Sequence, residues 1–322
     1  MTLMEKQLFI DYYSDDFQSE WDTFIHLNKC FTFQFQRKFL DLYNNEATDV
    51  SMMIRDKSDS LLAVIPLSAN FATRELISHA KSTYGGVFFA MKTSLAMKKA
   101  IYAAIVSVLK NKFSGFTLEL RVPPSHLTSE NYSVDKWALW NNGFQPTVGV
   151  LHSAINLKEE LNLIPGRVKK NHDDVKIVES SSSNQIIEFW DLLTRTLLER
   201  HGVEPVHNSK QILRLIELFP LSIRIFLAQS NFQEIYGGLV FFNTSRAYHL
   251  QYMAVGEIGR KKSVGDALIA ESINIAMRED FEIFGFGHSN ENRGKDVNFG
   301  LVSFKEKFGS HLNETFCWKI QL

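Results

Sequence analysis

Apolar residues change their spacing several times along the chain, and each change marks an element. Phe17, Trp21, Phe24 and Ile25 recur at helical spacing over Asp15 to Leu27, and a second short helix is predicted over Gln34 to Tyr43. Alternation then replaces the helical period. Ser51 to Arg55 and Leu61 to Ser68 read as strands joined by the polar turn Asp56-Lys57-Ser58-Asp59. Glu75 to His79 reads as a short strand, broken by Ser82-Thr83-Tyr84-Gly85-Gly86. The spacing then predicts a helix over Leu95 to Lys110, a strand over Phe116 to Val122 ending at Pro123-Pro124, and a helix over Tyr132 to Asn142 stopped by Gly143. Strands around Val148 to Leu157 close this half.

The second half runs through the same order. Helices are predicted over Asn184 to Arg200 and Ser209 to Leu218, followed by a hairpin of Leu221 to Ala228 with Glu234 to Phe242. Ala247 to Val255 (AYHLQYMAV) reads as a strand, Gly256 to Ser263 as a polar loop, and Val264 to Arg278 as an amphipathic helix. A strand over Phe281 to Gly287, a helix over Leu301 to Phe308 stopped by Gly309, and a strand over Glu314 to Leu322 complete it. The repeated order of elements indicates an internal duplication, although residue identity between the halves is low. The join falls between Lys158 and Ser183, a loop-like stretch holding Arg167, Lys169, Lys170 and the run Ser180 to Ser183. The fold class expected is α+β. Two tandem units are expected, residues 1–160 and 161–322, each a mixed, mainly antiparallel sheet flanked by helices.

Composition narrows the function. With 322 residues, 45% hydrophobic and 12% aromatic, the chain has ample material for two cores. It carries 35 Lys+Arg against 36 Asp+Glu, a net charge of -1, which argues against a general polyanion-binding surface and against DNA as partner while leaving room for a local basic patch. Its two cysteines, Cys30 and Cys317, form no disulfide framework and suggest no zinc site, so no metal is expected. The N-terminus lacks the pattern of a secretory signal, and the longest apolar run, Ala100 to Leu109, is too short to span a bilayer. A cytoplasmic protein is expected, as monomer or homodimer.

The chemistry concentrates after the strand AYHLQYMAV. Gly259-Arg260-Lys261-Lys262-Ser263-Val264-Gly265-Asp266 runs into a helix, and a helix N-terminus offers unpaired N–H groups and a positive dipole end to an anion. Ser263 and Gly265 are small enough to let a phosphate approach the backbone, and Arg260, Lys261 and Lys262 add charge. A solvated basic turn with Ser263 as N-cap would use the same residues.

This stretch resembles the Arg/Gln-x-x-Gly-x-Gly/Ala motif of GNAT-type acyltransferases, here Arg260-x-x-Ser263-x-Gly265, with serine at the first glycine position. The order of hairpin, strand, loop, helix and strand is also similar to theirs. Two such units in tandem resemble the Fem family of peptidoglycan-bridge aminoacyltransferases and the FemAB-like acetyltransferases. Further likeness lies in Phe304-Lys305-Glu306-Lys307-Phe308-Gly309, in Ala63-Val64-Ile65-Pro66-Leu67 followed by Tyr84-Gly85-Gly86, and in Asn171 after Arg167 and Lys170. The resemblance implies that the pyrophosphate of acyl-coenzyme A sits at the loop (Arg260, Lys261, Lys262, Ser263, Val264, Gly265). It also implies that the strand before the loop, from Met253 to Val255, offers backbone groups to the donor. It implies an anionic acceptor near Lys305, with Asn298 lining the same cleft, and a first unit serving as scaffold and acceptor wall, with Tyr84 where the second unit has its phosphate loop. No long helical-hairpin insertion and no net positive charge are present, which favours a coenzyme A thioester over aminoacyl-tRNA as donor.

Acyl transfer to an amine requires a proton acceptor and a donor to the oxyanion. His288 and Glu291, after the strand FEIFGFG, are the base candidates; each also suits a solvated loop position. His249 and Tyr252 lie on the donor strand, where period two puts His249, Gln251 and Met253 on one face and Leu250 and Tyr252 on the other. Tyr252 is the third catalytic candidate and His249 an acceptor-site candidate, with a structural role for both weighed beside these. His207, in the connection Arg200 to His207, is a candidate for closing over the acceptor. The function expected is transfer of an acyl group, acetyl above all, from a coenzyme A thioester to an amine, with an amino sugar, nucleotide-linked and destined for bacterial surface polysaccharide, as the acceptor class the resemblance suggests. Two alternatives stand beside it: transfer from aminoacyl-tRNA, and a double unit without catalysis used as a binding module.

Overall fold

A computed structural model describes residues 8–27, 32–43, 47–79, 82–127, 133–159 and 174–322. Cys30, Arg167, Lys169, Lys170 and Asn171, all named above, lie outside the described residues. Two compact units form: unit 1 comprises residues 1–151, 290–296 and 314–322, and unit 2 residues 152–289 and 297–313. Residues 290–296 and 314–322 thus pack with unit 1 although they follow most of unit 2 in sequence. No described helix is long and apolar enough to cross a membrane.

In unit 1, β1 (Phe9–Tyr12) precedes α1 (Gln18–Leu27) and α2 (Arg37–Leu40). The strands β2 (Thr48–Asp49), β3 (Met52–Arg55), β4 (Leu61–Ile65), β5 (Ser68–Asn70), β6 (Glu75–Ile77) and β7 (Phe88–Phe89) follow, and α3 (Leu95–Lys112) leads to β8 (Thr117–Arg121) and α4 (Ser133–Asn141). β1, β3, β4 and β7 form one antiparallel sheet, with β3 and β4 as the expected hairpin. The helix expected over Gln34 to Tyr43 is broken. Gln36 is extended, and only Arg37–Leu40 is α-helical, between 3-10 turns at Phe33–Phe35 and Asp41–Tyr43. The break lets Arg37 point into the core, where it pairs with Asp41 and Asp49 and lies 3.6 Å from the Tyr13 ring centroid. Burial works against this guanidinium, but the two carboxylates outweigh it and hold its pKa above the usual value.

Unit 2 starts with residues 152–156 of β9 (Gln145–Asn156) and continues with β10 (Val175–Glu179), α5 (Ser183–His201) and α6 (Ser209–Leu218). Part of the expected linker is therefore strand: β10 pairs antiparallel with β11 (Ile223–Ser230). β12 (Ile235–Phe242) and β13 (Ala247–Val255) extend this sheet, followed by α7 (Glu257–Lys261), α8 (Val264–Arg278) and β14 (Ile283–His288). β15 (Asn290–Glu291), β16 (Asp296–Val297), α9 (Phe299–Glu306) and β17 (His311–Gln321) complete the chain. The strand order is β10-β11-β12-β13-β14-β9, antiparallel except for the parallel pair β13–β14. Helix α8 holds itself to the sheet with Val264, Leu268, Ile269, Ile273 and Ala276, all fully buried at helical spacing against Phe226, Leu239, Phe241 and Phe284. Each large aliphatic side chain among them stabilises the unit by about 2 kcal/mol.

Candidate active site

Strand β13 changes partner along its length, with β14 paired at its start and β12 along its later part. On the β12 side the register runs from Gly237↔Val255 to Phe241↔Leu250. On the β14 side it covers only Ala247↔Ile283, Tyr248↔Phe284 and His249↔Gly285. From Leu250 onward the two parallel strands are no longer paired, which leaves a stretch of strand edge whose N–H and C=O groups suit an added extended segment. A β-bulge sits at the same point. Val240 faces Tyr252 and Phe241 faces Leu250, so Gln251 is the extra residue. The bulge overturns the period-two assignment of faces. Leu250, Met253 and Val255 share the face packed on α8, whereas Tyr252 turns to Trp190, His207 and Phe242.

Beyond β13 the expected loop Gly256 to Ser263 is instead mostly helix, with α7 over Glu257–Lys261. Gly259 lies against the strand there: a Cβ on it would stand 2.4 Å from the Tyr236 carbonyl oxygen and 2.8 Å from Val255 Cγ1. Ser263 then reverses the chain in the left-handed region, at φ 56°, and makes no side-chain cap bond to α8. A left-handed Ser is strained relative to Gly. No described residue supplies an acceptor for the N–H groups of Val264, Gly265 and Asp266; the first bond into the helix is Ala267 N–H to Ser263 O at 3.4 Å. Gly265 lies over Met253, where a Cβ would meet the Met253 methyl at 2.9 Å. Three open N–H groups beside two small residues suit a phosphate group.

The three cations of this stretch already have partners. Arg260 donates to the Val255 carbonyl at 2.8 Å, which fixes its guanidinium at the open end of β13. Lys261 pairs with Glu257 on the exposed face of α7, and Lys262 pairs with Asp174. The Val264 side chain is in the core, so only its backbone is available.

On the opposite face of β13, Tyr252 and His207 form a buried pair, with Tyr252 Oη 2.7 Å from His207 Nδ1. Burial pushes the Tyr252 phenol well above its usual range, which keeps it protonated at neutral pH. Trp190 on α5 donates its Nε1–H to the His207 carbonyl at 2.8 Å, and Asn208 and Gln211 close a capping box at the start of α6. These contacts lock the connection that carries His207. Trp190 was not singled out in the sequence, where its helical spacing marks only a core position. His249 is buried over Gly285, where a Cβ would come within 2.6 Å of Nδ1; the glycine in FGFG is what admits the ring.

The remaining candidates separate. His288 is exposed at the end of β14, with its ring centroid 6.1 Å from that of buried His152. Glu291 is exposed and belongs to unit 1. Tyr84 is buried in the core of unit 1, its ring 6.0 Å from Phe35. Asn298 is the N-cap of α9, accepting from Leu301 N–H at 2.8 Å. Lys305 is buried, and its ammonium donates to Gly287 O, His288 O and Ser289 Oγ at 3.0, 2.8 and 2.8 Å. These take all three of its donors, and burial without a carboxylate partner pushes its pKa down to about 7. Lys305 therefore ties α9 to the end of β14, a role its sequence context did not reveal. Among the described residues, no three His, Cys, Asp or Glu side chains are grouped to hold a metal.

The sequence matches no protein-family profile and no curated protein. Solved structures are similar to it in fold. FemX superposes with a TM-score of 0.67 at 12% identity, over 98% of this chain and 97% of that one. A conserved protein of unknown function from Bacteroides thetaiotaomicron VPI-5482 gives 0.60 at 11% identity, over 97% and 100%. A tandem GNAT protein from the clavulanic acid biosynthesis pathway gives 0.57 at 10% identity, over 98% of both chains. The chain has the FemAB-like double-GNAT fold, as its order of elements led us to expect. At these identities the likeness extends to the fold and not to the role of any residue.

Proposed function

We propose that the chain is an acyltransferase that moves an acyl group from a coenzyme A thioester to an amine, with the donor held on unit 2. The observation that carries this reading is the coincidence of an unpaired strand edge, from Leu250 to Val255, with an α8 entrance whose first three N–H groups have no acceptor. A linear ligand with a diphosphate at one end and amide groups along its arm has the chemistry of both. The diphosphate would take the N–H groups of Val264, Gly265 and Asp266, with Arg260 beside them; the arm would lie along β13 from Met253 to Val255. The donor supplies an already activated carbonyl. What the chain must add is orientation, N–H donors of the β13 edge for the oxyanion, and a route for the amine proton. Tyr252 with His207 is the buried pair nearest in chain to that edge, and His288 is the exposed alternative. In the product a C–N bond replaces the C–S bond and the thiol leaves. The FemX-like fold keeps an amino sugar among the acceptors to be screened.

Thermal unfolding with and without acetyl-coenzyme A and free coenzyme A tests the reading. A ligand at a hundredfold its Kd stabilises by about 2.7 kcal/mol. Both compounds should raise the melting temperature, and Arg260→Ala, an exposed substitution, should reduce the shift. Absence of a shift with any acyl-coenzyme A defeats the proposal; stabilisation by aminoacyl-tRNA alone would replace the donor.

A further inference from the structure

Unit 1 carries a surface with no part in the chemistry proposed above. Helices α3 and α4 hold five lysines (Lys98, Lys99, Lys110, Lys112 and Lys136) and one carboxylate, Asp135. Asp135 is 1% exposed and pairs with Lys98 at 3.0 Å, so neither helix presents a negative charge to solvent. The chain as a whole has a net charge of -1, which makes the one-sided charge of these helices a local feature and not a reflection of composition. Between the lysines stand two tryptophans one turn apart on α4, Trp137 at 45% and Trp140 at 58% exposure. The other three tryptophans, Trp21, Trp190 and Trp318, are buried. Lys99 Nζ lies 6.0 Å from the Trp137 ring centroid, and Asn142, just past α4, donates its side-chain N–H to the Lys99 carbonyl at 3.2 Å, so the two helices present one continuous face. Lys110 falls three turns after Lys99 on the same stripe of α3.

Scattered exposed apolar residues need no explanation. Two tryptophans flanked by lysines, with the one carboxylate of both helices buried, are different, because each residue type asks for a different part of one partner. The indole ring suits a boundary between apolar and polar media, and the lysines suit a sheet of negative charge. We propose that this face of α3 and α4 docks on an anionic phospholipid bilayer, with Trp137 and Trp140 at the headgroup boundary and Lys99, Lys110 and Lys136 over the anionic headgroups. A second copy of the chain fits poorly, since a two-fold contact would set lysine against lysine with no carboxylate to pair. RNA fits less well too: the face has no arginine, the side chain whose planar fork matches phosphate. Docking here is independent of the acyltransferase reading and would hold whatever donor the chain uses.

Co-sedimentation of the full chain with vesicles tests the proposal, using phosphatidylcholine alone and phosphatidylcholine with about a third phosphatidylglycerol. The chain should pellet with the anionic vesicles and not with the neutral ones. Binding should fall when salt is raised from about 0.1 M to about 1 M, as the screening length shrinks from about 10 to about 3 Å. Because only Trp137 and Trp140 are exposed, bound protein should show blue-shifted tryptophan emission, and Trp137→Ala/Trp140→Ala should abolish that shift. Lys99→Ala and Lys110→Ala should each weaken binding about fivefold. Lys110 is exposed and Lys99 half-buried, and an unchanged melting temperature would confirm that the fold survives each substitution. Equal binding to neutral vesicles, no binding to anionic ones, insensitivity to the Trp and Lys substitutions, or binding to RNA in place of vesicles would each overturn it.

Discussion

Helices α3 and α8 each follow an antiparallel hairpin and a further strand of the same sheet, β7 and β13, and they begin differently. At α3, Ser94 is extended and its hydroxyl accepts from the Met97 N–H, which takes one of the three N–H groups at the entrance. At α8, Ser263 occupies the same position in the left-handed region, makes no cap bond, and leaves three N–H groups open. The strands before them differ as well: β7 is a two-residue edge strand paired with β4 alone, whereas β13 is a nine-residue strand between β12 and β14 that loses β14 after His249. Buried cations follow the same division. Arg37 in unit 1 sits between two carboxylates, while Lys305 in unit 2 has only neutral acceptors. In unit 2 the open N–H groups of α8 and the free edge of β13 are what the proposed donor would complete.

The comparison can be broken most forcefully at the glycines. Gly259→Ala would drive a Cβ into the Tyr236 carbonyl, and should cost about 3 kcal/mol or more by urea unfolding. Gly265→Ala meets only the mobile end of Met253 and should cost less than about 1 kcal/mol, so a deficit in donor binding there would be separable from stability. Lys305 gives the next largest effect. Its pKa falls from 10.5 in the unfolded chain to about 7 on folding. Between those values the unfolded chain holds a proton the folded one has released, so stability should rise with pH across that window, by up to about 1.4 kcal/mol per pH unit. Lys305→Met should flatten the rise; an unchanged slope would show the ammonium to be stabilised by its three acceptors. The caps offer the finest test. Ser94→Ala should cost about 1 kcal/mol, Ser263→Ala nearly nothing, and Ser263→Gly should stabilise by about 0.5–1 kcal/mol by relieving the left-handed strain.

Much of this arrangement is written in local pattern. β13 and the helices α6 and α8 were legible to the residue, because long periodic runs are bounded by Asn208, Pro220, Gly256 and Ser263. The stretch from Gly256 to Ser263 misled because two glycines and three cations resemble a loop. Gly259 is there for its close approach to β12, while Glu257, Arg260 and Lys261 are ordinary helix formers. The bulge at Gln251 has no local signature, and it brings Leu250 onto the face of Met253 and Val255. The surroundings of Lys305 were equally hidden, since its acceptors lie on β14 and the turn after it, 16 to 18 residues away in sequence. What local pattern carries is the element; what it lacks is the partner across the sheet.

Backbone amide shifts on adding coenzyme A test the central claim most directly. The account expects the N–H resonances of Val264, Gly265 and Asp266 to move in a saturable way, while those of Leu95, Ala96 and Met97 at the capped entrance of α3 stay in place. Unmoved resonances at α8, or movement at α3 in their stead, would contradict the claim that the open helix entrance of unit 2 is where the donor binds.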